Sequence, residues 1–179
     1  MSSLHVCARS QVPASLASSG AGWVISALAR ADRLPDLGGI APERRLHLAL
    51  SDINEPTPDY VLAEAAHLVE LLAFLQRWDR ASPLLIHCYA GVSRSTAVGF
   101  VAQCFFAPDQ AEIAHARQLR RFSPTATPNR RIVTLADAVM GREGRMIEAV
   151  AAIGRGADCF EGTPFTLPVP SMGAADAGA

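Results

Sequence analysis

Residues 83–106 read PLLIHCYAGVSRSTAVGFVAQCFF. A continuous apolar run of this length, ending at His87 and Cys88, has the character of a strand buried on both faces. A short Gly/Ser stretch follows. Then comes an almost wholly apolar segment from Ser95 to Phe106, long enough for a helix that has no solvent face. A strand, a tight loop and a buried helix in that order require a layered α/β arrangement, with the loop at the carboxyl end of a central strand. Gly91 permits the tight turn. The peptide N–H groups of residues 89–94 then face inward as an anion-binding nest, reinforced by the start of the helix. Arg94 adds a planar fork matched to two oxygens of a phosphate. A thiol at such a place is held as the reactive thiolate near neutral pH, which makes Cys88 a candidate nucleophile towards phosphorus.

The rest of the chain fits around this unit. Residues 4–7, 23–28 and 45–50 read as further strands, and 83–87 as the central one. Residues 13–19 read as a short helix closed by Gly20 and Gly22. Thr57 before Pro58 marks the start of a helix running to about Trp78, with Val61, Ala65, Leu68, Leu72 and Leu75 as its apolar stripe. Asp109 with Glu112 reads as a capping box for a helix ending near Arg121. Helices over about 130–140 and 145–153 complete the pattern. We expect an α/β fold with a central, mostly parallel sheet of about four to five strands flanked by helices. Residues 1–153 are expected to form one domain, and 154–179, rich in Gly, Pro and small residues, a loosely ordered tail.

Bulk composition excludes several classes. The 179 residues are half hydrophobic and 18% charged, with a formal net charge of -1. This is a globular composition with no general attraction for nucleic acid or an anionic membrane. The four cysteines contain no CxxC pair and the five histidines are scattered, so no zinc spacing appears. The opening MSSLHVCARSQVPAS lacks the order of a signal peptide, and no apolar stretch approaches the roughly 20 residues of a membrane span. A reducing cytoplasm is the expected location, with Cys88 a free thiol. Arginine supplies every basic side chain, a composition associated with GC-rich bacterial genomes.

His87, Cys88, five residues, Arg94 and Ser95, written HCYAGVSRS, resemble the signature of the cysteine-dependent protein tyrosine phosphatase superfamily, and in particular its dual-specificity branch. The resemblance implies that Cys88 forms a phosphocysteine intermediate. It implies that the backbone of Tyr89, Ala90, Gly91, Val92, Ser93 and Arg94 binds the phosphoryl group, with the Arg94 side chain stabilising the transition state. Ser95 would hydrogen-bond the thiolate, and His87 would orient the loop from behind. The family keeps a general acid on an upstream loop. Asp52, 36 residues before Cys88, matches that layout, with Asp59 and Glu55 as alternatives nearby. The segment RRFSPTATPNRR (120–131) resembles the family's supporting loop, in which Asn129 either bonds the phosphate loop or caps the next helix. Five arginines between 117 and 131 crowd this turn, either favouring an acidic substrate or lying solvated.

The implied activity is hydrolysis of phosphate monoesters on proteins, of phosphotyrosine first with phosphoserine and phosphothreonine as further candidates, with no cofactor or metal. Its partner would be a phosphorylated protein or a small phosphorylated substrate, and not nucleic acid. Three alternatives stand beside it: a phosphatase for a phosphoinositide or small metabolite, a rhodanese-like sulfurtransferase, and a module that binds phosphate without turnover. Tyr89, Ala90, Val92 and Ser93 include no cation, which argues against a highly charged lipid headgroup.

Overall fold

A computed structural model describes residues 3–169. Five strands form one sheet in the order β3-β2-β4-β1-β5. They are β1 (Ser3–Ala8), β2 (Trp23–Leu28), β3 (Arg45–Ala49), β4 (Leu84–Cys88) and β5 (Phe165–Pro168). The pairings β1–β4, β2–β4 and β2–β3 are parallel, and β5 joins β1 antiparallel. Six helices accompany them: α1 (Val12–Ser19), α2 (Ala65–Arg77), α3 (Arg94–Phe106), α4 (Glu112–Phe122), α5 (Arg130–Val139) and α6 (Arg145–Ile153). The α/β class, the mostly parallel sheet and the flanking helices are those expected.

The two faces of the sheet are unequal because side chains alternate along each strand. Leu4 and Val6 of β1, Trp23 and Ile25 of β2, and Leu84, Ile86 and Cys88 of β4 point into the main core. There they meet Leu68, Leu71, Phe74 and Leu75 of α2 and the buried residues of α3. Cys7, Val24 and Leu85 point the other way, into a smaller cluster closed by Val12 of α1 and by Leu37. α3 is buried along almost all its length, as an apolar helix between a sheet and other helices must be.

Several local expectations need correction. No helix spans residues 58–64. There Val61 O accepts from the Ser51 N–H at 2.8 Å and Tyr60 N–H donates to Thr57 O, while Asp59 adopts a left-handed φ of 66°. The Thr57–Pro58 signal therefore opens a turn, and α2 starts only at Ala65. Its buried stripe uses Leu71 and Phe74 in place of Val61, Ala65 and Leu72. The capping box at Asp109 does not form. Ala111 occupies the cap of α4 with no side-chain bond, and Glu112 turns inward to Arg142 (3.3 Å) and Arg145 (3.2 Å). A buried carboxylate needs a cationic partner more than a helix end needs a cap.

The expectation of a loose segment from residue 154 does not hold for 154–169. Arg120 donates to Gly154 O at 2.8 Å, Ala157 N–H to Pro124 O and Gly162 N–H to Ala90 O, and β5 then completes the sheet edge. Alternating polar and apolar residues in so short a strand give little periodic signal. Residues 170–179 of the expected tail lie outside the described residues.

Leu167 of β5 has no exposed surface and reaches the position of Gly99 on α3. Leu167→Ala should destabilise the chain by about 2–4 kcal/mol, read as a lower urea midpoint. A change below about 0.5 kcal/mol would show that β5 adds nothing to the fold.

Candidate active site

Cys88 ends β4, and the loop 89–93 carries the chain into α3 at the carboxyl edge of the sheet. The loop is shaped by its carbonyl groups. Tyr89 O accepts from Arg9 N–H (3.2 Å), Ala90 O from Gly162 N–H (2.8 Å), Val92 O from Thr127 N–H (2.9 Å) and Ser93 O from Asn129 N–H (3.3 Å). With these carbonyls held by surrounding segments, the N–H groups are left over. Among the described residues, none of the backbone N–H groups of residues 89–94 donates a hydrogen bond. Ser93 sits at the N-cap of α3 yet makes no capping bond; its hydroxyl donates to Asp52 Oδ1 at 2.7 Å instead. A row of unpaired amides and an open helix start make a concave anion site.

Gly91 is required by two constraints. Its φ is 73°, and a Cβ there would lie 2.7 Å from the amide nitrogen of Ala8. The loop is therefore pressed onto the end of β1, closer than any side chain permits.

Three side chains complete the cradle. Cys88 Sγ, almost fully buried, lies 3.1 Å from Ser95 Oγ. Arg94 is buried as well. Its Nη1 donates to Leu50 O at 3.1 Å, which fixes the guanidinium plane. Its Nε is buried without a partner, so the Nε–Nη2 edge is free to fork onto two oxygens of an anion. Asp52 approaches from the loop after β3, with Oδ2 4.0 Å from Arg94 Nε. Its Oδ1 accepts from both Ser93 and Asn129, the latter at 2.8 Å. Oδ2 makes no hydrogen bond among the described residues.

Of the two roles expected of Asn129, its side chain fills the helix cap, and only its backbone N–H reaches the phosphate loop, at Ser93 O. Oδ1 accepts from Ile132 N–H at 3.0 Å and caps α5, while Nδ2 donates to Asp52. Asp59 and Glu55 are both exposed and make no contact with the cradle among the described hydrogen bonds. Thr127, and Gly162 with its clip on Ala90, are among the contributors that escaped sequence reasoning, as are the backbone groups of Arg9 and Leu50. The Thr-rich turn gave a weak signal for the first. Nothing local marks the second.

His87 lies on the opposite face of β4 from Cys88. Its Nε2 is 2.7 Å from Ser26 Oγ on the neighbouring β2, so it supports the strand from behind and is remote from any bound anion. Burial lowers its pKa from 6.5 to about 4. Among the described residues, no group of three or more His, Cys, Asp or Glu side chains is placed to hold a metal ion, and no helix is long and apolar enough to cross a membrane. Cys7 and Cys104 are free and buried, with burial raising their pKa to about 11 and about 12. The arginines at 117–131 are partly consumed by the fold: Arg120 binds Pro124 O and Gly154 O, and Arg131 binds Ala63 O.

No family model matches the chain, and no curated protein matches it in sequence. Solved structures do. The crystal structure of human DUSP28 aligns with a TM-score of 0.61 and 19% identity over 78% of this chain and 92% of that one. A mouse putative dual specificity phosphatase, complexed with zinc tungstate, gives 0.59 and 19% over 82% and 86%. PTPMT1 in complex with PI(5)P gives 0.55 and 13% over 78% and 94%. At these identities the likeness is one of fold: the chain has the architecture of the dual-specificity phosphatases.

Two outcomes follow from this geometry. Gly91→Ala should abolish binding of vanadate or inorganic phosphate while circular dichroism stays native; retained binding would mean that the loop has room to shift. The second concerns acid. His87 is neutral when folded and takes up a proton more readily when unfolded, so the unfolded chain binds more protons between pH 6.5 and about 4. Stability is therefore lost as pH falls through that window, by about 3 kcal/mol from this group. His87→Asn should flatten that part of the urea-midpoint profile, and an unchanged slope would assign the loss elsewhere.

Proposed function

We propose that the chain hydrolyses phosphate monoesters on proteins, phosphotyrosine first and phosphoserine or phosphothreonine as further substrates, through a phosphocysteine intermediate. The observation that carries this reading is the set of undonated N–H groups at residues 89–94, in the loop that joins Cys88 to Arg94 and its free guanidinium edge.

In the first step Cys88 Sγ attacks phosphorus. The bond from phosphorus to the leaving oxygen breaks, its electron pair goes to that oxygen, and Asp52 Oδ2 supplies the proton. The backbone amides and Arg94 hold the equatorial oxygens as charge spreads over them. In the second step the Asp52 carboxylate takes a proton from water, the water oxygen attacks phosphorus, and the P–S bond breaks. The electron pair returns to Sγ, where the Ser95 hydroxyl stabilises the thiolate. Asn129 and Ser93 hold Asp52 by its other oxygen, so that one carboxyl serves both steps.

Two observations favour a protein substrate over a lipid headgroup. The loop residues between Cys88 and Arg94 carry no cation, and the exposed Tyr89 forms a flat aromatic rim at its mouth. The phosphatase fold shared with DUSP28 and the mouse protein supports the reaction type.

The test is turnover of a small aryl phosphate between pH 5 and 8. Cys88→Ser should lose essentially all activity. Asp52→Asn should lower kcat by about 10²–10³ with a poor leaving group, and far less with a good one. If wild type and Cys88→Ser both bind vanadate but neither turns over, the chain is a phosphate-binding module.

A further inference from the structure

We propose that Arg9 and Arg33 form a second anion subsite beside the cradle, which takes an acidic side chain of a phosphorylated peptide. The inference rests on the reading that the cradle holds a phosphate monoester.

Because β1, β2, β3 and β4 are parallel, the chain leaves all four at one edge of the sheet. β4 lies between β2 and β1. Arg9 immediately follows β1 and Arg33 lies on the loop after β2, so they flank the loop that follows Cys88. Together with Leu34, Pro35 and Asp36 they line one recess of about 320 Å³. Neither arginine belongs to an ion pair among the described residues. Asp36 is the recess's own carboxylate, and its Oδ1 accepts the Gly38 N–H at 2.8 Å. The recess keeps a net positive charge.

The position of Arg9 relative to the cradle is fixed twice. Its guanidinium lies 4.5 Å from the centroid of the Tyr89 ring, and its N–H donates to Tyr89 O. Tyr89 directly follows Cys88, so the recess begins where the cradle wall ends. Such placement fixes part of the side chain before any ligand arrives, which lowers the entropic cost of binding. The cradle itself meets only one phosphoryl group, with amides and Arg94. A second anion must be met beyond the Tyr89 ring. An extended peptide, which advances about 3.3 Å per residue, can place its phosphate in the cradle and an acidic side chain of a nearby residue in the recess. The exposed Leu34 beside Arg33 offers an apolar contact to the same peptide.

The test uses the full chain carrying Cys88→Ser, titrated by calorimetry with two phosphotyrosine peptides that differ only in Glu or Ala flanking the phosphotyrosine. The Glu peptide should bind roughly five-fold tighter, as two exposed charge pairs supply, and the difference should vanish at about 0.5 M salt. Adding Arg33→Glu should erase or invert the preference. In the chain with native Cys88, Arg33→Glu should leave aryl phosphate turnover unchanged. Equal binding of the two peptides, or a preference that survives Arg33→Glu, would sink the proposal. Tighter binding of an inositol bisphosphate than of the Glu peptide would overturn the assignment to a peptide. If the peptides behave as expected but aryl phosphate is not hydrolysed, the subsite stands and the catalytic reading falls.

Discussion

The site depends on where the carbonyl groups of residues 89–93 are held. An amide and its neighbouring carbonyl share a plane, so fixing one direction of the peptide fixes the other. Arg9, Gly162, Thr127 and Asn129 each draw one loop carbonyl outward, and the corresponding N–H groups face the interior. The donors come from three separate segments: the residue after β1, the α4–α5 turn, which supplies two, and the stretch between α6 and β5. The anion site is therefore a property of the whole chain's packing, although its sequence signature is nine residues long.

Alternation along β4 separates chemistry from support. Cys88 faces the main core and the cradle. His87, one residue earlier, faces the opposite layer and bonds Ser26. A strand whose two faces are both buried can place a thiol and a neutral imidazole side by side in sequence while keeping the sheet between them. Arg94 makes the complementary link. Through Leu50 O it ties the start of the buried helix to the end of the β3 segment, so the residue proposed to meet the anion also anchors the loop bearing Asp52.

Much of this was legible in the amino-acid order because strong signals coincided. The β4–loop–α3 unit joins an apolar strand, a glycine and an apolar helix, and each allows few alternatives. Asp52 and Asn129 were legible through family resemblance, and the structure brings both to the loop. The misreadings share a physical cause. Pro58 and Glu112 carry helix-start chemistry that serves turns and ion pairs equally well, and tertiary contacts decided between them. β5 and Gly162 were invisible because a short edge strand and a lone backbone donor are specified by what they meet and carry no periodicity of their own.

The clip from Gly162 to Ala90 has a consequence for biosynthesis. A ribosome delivers Cys88 and Arg94 well before Gly162, and β5 later still. A nascent chain that has already folded β1 to β4 and their helices lacks one of the tethers that turn the loop amides inward. The Cys88 thiol is thus made before the last tether of its loop, and the loop is fully held only once residues 154–168 have emerged and closed against β1.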